Sequence, residues 1–176
     1  LAILPLLLSA CGTSQTLSSQ TITEKDVSAI SIDSTAGFSV SRVIVLANGV
    51  AEIMNALNAK SILVGRDISS TEKELKDIPI VTSGHQVLPE KVIALQPDLV
   101  IIDASTGPKS ALDQIKSAGI KIVQTPESWT LADIPIKVSA VAAAIGAPQQ
   151  GDQLNAAFTS HIKTSTIPAK PRIAFL

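Results

Sequence analysis

The sequence predicts an α/β fold in which a mainly parallel sheet is flanked by helices. Short runs of β-branched residues alternate with helical patterns from residue 42 onward, which is typical of strands joined by crossover helices. Glycines stand at the ends of helical patterns, where helices commonly stop. With 176 residues, 45% of them hydrophobic, the chain is long enough for one domain with a substantial core.

Five strands are expected in the body of the chain. Each is a short run rich in Val, Ile or Leu, and the run that ends at Asp103 is the clearest buried strand. The predicted strands span residues 43–47, 62–65, 78–82, 99–103 and 120–124. Because these strands alternate with helices, they are expected to be joined by right-handed crossovers and to form a mainly parallel sheet.

Helices are predicted between and after the strands. Pro89 is placed at a first helical position, where its missing N–H costs nothing, and Gly119 and Gly146 end two other helices. The predicted helices span residues 50–57, 89–96, 110–118, 131–145 and 148–164. A last strand over residues 172–176 has no sheet to join, which indicates that a second domain begins there and is truncated.

The first eleven residues predict the end of a secretory signal. Eight apolar residues precede Ser9, Ala10 and Cys11, and a bilayer span needs about 20 residues. This pattern resembles the bacterial lipobox, so Cys11 is predicted to be acylated and to tether the protein to a membrane. The alternative is a buried free cysteine in a short apolar strand. Residues 12–27, rich in polar side chains, are expected to form a flexible linker.

The composition argues against several classes of function. With a net charge of −1 and no basic face, the chain is not expected to bind nucleic acid. No nucleophile, carboxylate pair or phosphate-binding glycine motif accompanies His85, which argues against an enzyme with this histidine as general base. His161 is expected to be solvated, and two separate histidines do not make a zinc site. A structural or signalling lipoprotein remains an alternative.

Candidate binding residues stand beyond the carboxyl ends of the predicted strands, where parallel sheets bind ligands. They are Asn48, Arg66, Gly84, His85, Ser105, Thr106, Gly107 and Trp129. Gly84 lets the backbone turn freely and approach a flat ligand. By position alone, however, His85 is more simply a hydrated loop residue, and turn chemistry explains the polar residues before Pro108 equally well.

The most specific motif lies over residues 88–101, where Glu90 opens a short helix and Pro97-Asp98 opens a strand. This motif resembles the signature of class III bacterial solute-binding proteins, which serve haem, siderophore and cobalamin importers. The resemblance implies two α/β lobes joined by one long rigid helix, with the ligand between the lobes. The implied parts are an N-terminal lobe over 28–146, an interlobe helix over 147–166 and the start of a truncated lobe over 167–176.

Three short segments, 64–67, 83–85 and 107–108, are similar to the haem-binding branch of Gram-positive bacteria, often called HmuT proteins. In that branch a histidine at the position of His85 is one axial ligand of haem iron, and a tyrosine of the second lobe is the other. The resemblance implies a lipid-anchored protein on the extracellular face of the membrane. It would capture haem, as a transported ligand and not a catalytic cofactor, and deliver it to an ABC permease and its ATPase. A ferric siderophore or cobalamin is the alternative cargo.

The resemblance also suggests roles for four other side chains. Arg66 is predicted to pair with a haem propionate, the alternative being a surface pair with Asp67. Trp129 is predicted to lie against the macrocycle or, alternatively, to cover the sheet edge. Glu90 is expected to dock onto arginines of the permease, although the helix dipole alone would justify a carboxylate there. Glu52 is a weaker second docking candidate, and its alternative is a solvated helix face.

Overall fold

The computed structural model describes residues 37–162. The expectations for Cys11, for the linker over 12–27 and for the strand over 172–176 lie outside the described residues. Within that range the strands are Val43–Val45 (β1), Leu63–Arg66 (β2), Thr82–Ser83 (β3), Gln86–Val87 (β4), Leu99–Ile102 (β5) and Lys121–Gln124 (β6). Four of them form a parallel sheet in the order β2-β1-β5-β6, which confirms the predicted fold class.

The described helices lie close to their predicted bounds. They are Val50–Ala56 (α1), Pro89–Ala94 (α2), Lys109–Ser117 (α3), Ile134–Ala144 (α4) and Pro148–His161 (α5). Gly119 and Gly146 have φ values of 81° and 79°, so each follows its helix in the left-handed region that glycine tolerates. The helix predicted from residue 131 starts with a 3₁₀ turn over Leu131–Asp133, whose N-terminus is capped by a capping box between Thr130 and Asp133.

The strand predicted over residues 78–82 is wrong in detail. Only Ile80 pairs with the main sheet, through an isolated bridge to Arg66. Pro79 has no N–H to donate to a ladder, which limits regular pairing at this point. The chain instead forms a separate antiparallel hairpin of β3 and β4, and the second of these strands was not predicted.

Helices cover both faces of the sheet, and the strands alternate between the two resulting cores. Val43 and Val45 of β1 pack in the core with α1, α4 and α5, whereas Ile44 and Leu46 pack in the core with α2 and α3. β5 alternates in the same way, and its four residues are buried. A parallel sheet between two helical layers accounts for the continuous apolar runs of its central strands.

The last described helix, α5, packs against α4. A Cβ added at Gly151 would lie 2.6 Å from the Cβ of Ala142, so glycine is what lets the two helices approach this closely. The helix that is expected to join two lobes, α5, is therefore packed against the lobe described here, through α4. Within residues 37–162, no helix is both long enough and apolar enough to cross a membrane.

Candidate functional site

A shallow pocket of about 130 Å³ lies beyond the carboxyl ends of β1, β2 and β5, beside the β3–β4 hairpin. Its lining residues are Leu46, Asn48, Asp67, Ile68, Ser69, Thr82, Gly84, His85, Val87, Ser105 and Thr106. The chain passes from β1 to β2 on one side and later returns to β5 on the other side of β1. The pocket therefore lies at the topological switch point, where open α/β sheets bind their ligands.

His85 lies in the turn of the β3–β4 hairpin, with its residue exposed at the pocket. Gly84, which precedes it, has a φ of 56° and allows the tight two-residue connection. The hairpin is tied on two sides, because Val87 N–H donates to the Gly107 oxygen at 2.9 Å and Ile68 N–H donates to Thr82 Oγ1 at 3.0 Å. The imidazole is thus presented on a turn that both neighbouring loops hold.

The loop after β5 is organised by the Asp103 carboxylate. Its Oδ1 accepts hydrogen bonds from the Ser105 N–H and hydroxyl, at 3.0 and 2.7 Å, and Thr106 Oγ1 lies 3.1 Å away. Its Oδ2 accepts the Asn48 N–H at 2.9 Å. Burial alone would raise the pKa of Asp103, but the bonds from Ser105, Asn48 and Thr106 outweigh it and hold the pKa below its usual value. An ionised carboxylate therefore shapes both loops of the switch point.

Lys137 of α4 reaches the same loop from beneath. Its side chain is buried, and its Nζ donates to the Asn48 carbonyl oxygen at 2.6 Å. This contact joins residues 89 positions apart in the chain. Sequence patterns did not single out Lys137, since it is a single charged residue on a mainly apolar helix.

Arg66 is not at the pocket surface, which contradicts both of its predicted roles. It is 8% exposed, and its guanidinium donates to the carbonyl oxygens of Leu75 (3.0 Å), Ser70 (2.7 Å) and Asp67 (3.2 Å). These bonds hold the loop after β2 from within, so the guanidinium is not available to a propionate. The Asp67 carboxylate instead accepts hydrogen bonds from the hydroxyls of Ser69 and Ser70.

Glu52 is also not the free surface group that a docking role or a solvated face requires. Its Oε2 is buried without a hydrogen-bond partner, and so is the Oε2 of Glu72. Burial first, and then the nearby carboxyls of Glu72 and Asp67, raise the pKa of Glu52 from 4.5 to about 7, because a poorly solvated carboxylate close to other negative charges ionises less readily. Glu90, by contrast, is exposed in the first turn of α2.

The remaining predicted residues divide between the pocket and its surroundings. The pocket brings His85 together with Asn48, Gly84, Ser105 and Thr106. Trp129 is not among the lining residues: it is 85% exposed, so in this lobe it neither faces the pocket nor covers the sheet edge. Gly107 contributes its carbonyl to the hairpin and does not line the pocket.

Sequence reasoning missed five of the lining residues, which are Leu46, Ile68, Ser69, Thr82 and Val87. A sixth, Asp67, directly follows a predicted strand and so falls on the expected ligand-binding edge, and Ile68 beside it shares that signal. Within residues 37–162 there is no group of three or more His, Cys, Asp or Glu residues that could hold a metal ion. The pocket offers one imidazole beside apolar, hydroxyl, amide and carboxylate groups, which suits reversible binding of a ligand that has its own coordination site.

Comparison with known proteins agrees with this architecture. The family described as "Periplasmic binding protein" matches residues 43–168, which is most of the chain and includes the parallel sheet that the structure describes. The chain belongs to the periplasmic binding protein family. Members of this family are binding proteins, and the parallel sheet with its switch-point pocket is this chain's part of that fold.

Individual periplasmic binding proteins are similar over about two thirds of the chain. The ABC transporter substrate-binding lipoprotein YvrC of Bacillus subtilis is 32% identical over 122 residues, covering 68% of this chain and 38% of that protein. The vitamin B12-binding protein of Vibrio parahaemolyticus is 33% identical over 116 residues, covering 65% and 42%. The crystal structure of the heme binding protein HmuT is 35% identical with a TM-score of 0.62, covering 65% and 38%. The chain therefore spans about two fifths of the length of each.

Proposed function

We propose that this chain forms one lobe of an extracytoplasmic substrate-binding protein, which captures haem and delivers it to an ABC permease and its ATPase. The observation that carries the proposal is the exposed His85 on its tied hairpin, at the edge of the switch-point pocket. Neutral imidazole is a common axial ligand of haem iron. The similarity to the heme binding protein HmuT supports the same cargo.

The rest of the pocket suits one face of a flat macrocycle. Leu46, Ile68 and Val87 supply apolar surface, and Ile68 is 46% exposed although it lies beside the pocket. At about 130 Å³ the pocket is smaller than the roughly 300–1,000 Å³ of most ligand sites. We therefore expect a second wall from another part of the protein. The partners of the propionates would also come from elsewhere, since Arg66 is engaged inside the loop.

Two further residues, Cys11 and Glu90, indicate where the protein is held in the cell and how it docks. We propose that Cys11 is lipidated, on the strength of the lipobox-like residues before it and the similarity to the lipoprotein YvrC. The lipid would hold residues 28–146 as a lobe on the extracellular face of the membrane. Glu90 is proposed as the docking residue for the permease, because it is exposed at a helix start.

The test is a hemin titration of the full-length protein, followed by absorption spectroscopy. The wild type is expected to give a spectrum of histidine-ligated haem, and His85→Ala is expected to shift that spectrum and weaken binding about tenfold or more. His161→Ala is the matched control, because it removes the other histidine of the sequence, exposed at the end of α5. An unchanged spectrum and affinity in His85→Ala would overturn the assignment of His85.

Cobalamin is the second candidate cargo, and the similarity to the vitamin B12-binding protein is the observation that favours it. The two cargoes are separated by titrating cyanocobalamin and hemin against the same preparation. We expect hemin to bind and cyanocobalamin not to displace it. Tight cyanocobalamin binding that displaces hemin, or that occurs without hemin binding, would favour the second candidate.

A further inference from the structure

We infer that Lys137 is a positioning residue of the switch-point pocket, which fixes the Asn48 peptide together with Asp103. The inference rests on the proposed function only for its ligand-binding measurement. Lys137 lies on α4, away from the hairpin that carries His85, and it does not line the pocket. Its effect on a ligand would therefore pass through Asn48.

The Lys137 ammonium is an unusual group to bury at this point. Its side chain is 4% exposed, and its Nζ lies 2.6 Å from the Asn48 carbonyl oxygen. Among residues 37–162 the only ion pair within 4.0 Å joins two surface side chains of α3, so no described carboxylate lies within 4.0 Å of the Lys137 ammonium. Burying an ammonium without a counter-charge is costly, and an apolar side chain of similar length would satisfy the core with less penalty.

The Asn48 peptide is held from both sides. Its N–H donates to Asp103 Oδ2 at 2.9 Å, and its carbonyl oxygen accepts from Lys137 at 2.6 Å. Directly afterwards the chain turns at Gly49, whose φ is 73°, and enters α1. Within the described part of the chain, the side-chain amide of Asn48 makes no hydrogen bond to another residue, and Asn48 lines the pocket. A fixed backbone thus presents a free amide to the ligand.

This arrangement predicts that pocket geometry and folding stability respond differently to one substitution. In Lys137→Met the buried charge disappears, so stability is expected to stay the same or rise. Asn48 is exposed, so water can replace the lost bond to its carbonyl oxygen, but water does not fix the peptide. The loop would then sample more conformations, and the entropy lost when the ligand orders it would lower the affinity for the ligand.

The experiment measures three properties of the full-length protein. Amide exchange at Asn48, followed by NMR without ligand, is expected to be about tenfold faster in Lys137→Met, as for loss of one charge-assisted hydrogen bond. The dissociation constant for hemin is expected to rise about tenfold or less, and the thermal midpoint is expected not to fall. Lys116→Met, an exposed lysine on α3, is the control and is expected to change none of the three.

Lys137→Arg separates positioning from packing, because it keeps a cationic donor. It is expected to protect the Asn48 amide better than Lys137→Met does. Unchanged exchange at Asn48 in Lys137→Met would overturn the inference, and so would a failure of that variant to fold or a uniform loss of protection across the core. If the wild type binds no hemin, the proposed function fails, whereas exchange at Asn48 still decides the role of Lys137.

Discussion

One oxygen of the Asp98 carboxylate, Oδ2, accepts hydrogen bonds from both the backbone N–H and the hydroxyl of Ser41, at 2.9 and 2.8 Å. The same oxygen accepts the Arg42 N–H at 2.9 Å, and the Arg42 carbonyl oxygen accepts the Asp98 N–H at 2.8 Å. These residues immediately precede β5 and β1, which are neighbours in the sheet. The aspartate of the Pro97-Asp98 motif therefore aligns the starts of the two central strands.

Asp98→Ala is expected to lower the urea midpoint of unfolding, because three donors at the strand starts lose their common acceptor. Hydrogen bonds from Ser41 hold the pKa of Asp98 below its usual value, so its contribution is present above the usual pKa and is lost as pH falls through the folded value. The difference between wild type and variant should accordingly shrink in acid. Asp113→Ala, on the exposed face of α3, is the control and should leave the midpoint nearly unchanged.

Glu52→Gln is expected to change how stability depends on pH. Burial and Glu72 raise the pKa of folded Glu52 from 4.5 to about 7, so its favourable contribution is complete below 4.5 and is lost as pH rises through 7. The wild type should therefore lose about 1–2 kcal/mol relative to the variant between acid and mildly alkaline pH, after allowance for solvent screening of this half-buried group.

The measurement for Glu52 is urea unfolding across that pH range. Glu74→Gln, an exposed glutamate in the loop that contains Glu72, is the matched control and should follow the wild type. Parallel pH profiles for wild type and Glu52→Gln would show that Glu52 ionises as an ordinary surface group. In that case the docking role first considered for it would return.

Arg66→Lys is expected to destabilise the protein by about 2 kcal/mol, because one ammonium cannot replace a planar guanidinium that serves three carbonyl oxygens. The loop they belong to also contributes Asp67 and Ser69 to the pocket, so ligand binding should weaken as well. Chemical unfolding and hemin titration on the same samples test this. Weaker binding with unchanged stability would instead indicate that Arg66 contacts the ligand directly.

Patterns within a few residues were sufficient for the architecture. The apolar runs at β1 and β5, Pro89 at a helix start and Gly119 and Gly146 after helices act locally, and each predicted element of that kind is present. The loops that border the pocket could also be predicted, since parallel strands bring their carboxyl ends to one edge of the sheet. The β3–β4 hairpin escaped prediction because strands of two residues are too short for any periodicity to show.

The sequence by itself determined the α/β class, the order of the helices and of the four strands of the parallel sheet, and the place of His85 in a loop, because these depend on neighbours along the chain. Only the tertiary structure decided which polar side chains face the pocket. Arg66 turns inward onto the loop that follows it, one carboxylate oxygen of Glu52 is buried, and Lys137 reaches Asn48 across 89 residues. Such contacts are decided by where buried polar groups find partners once the helices are packed, and no local pattern records that.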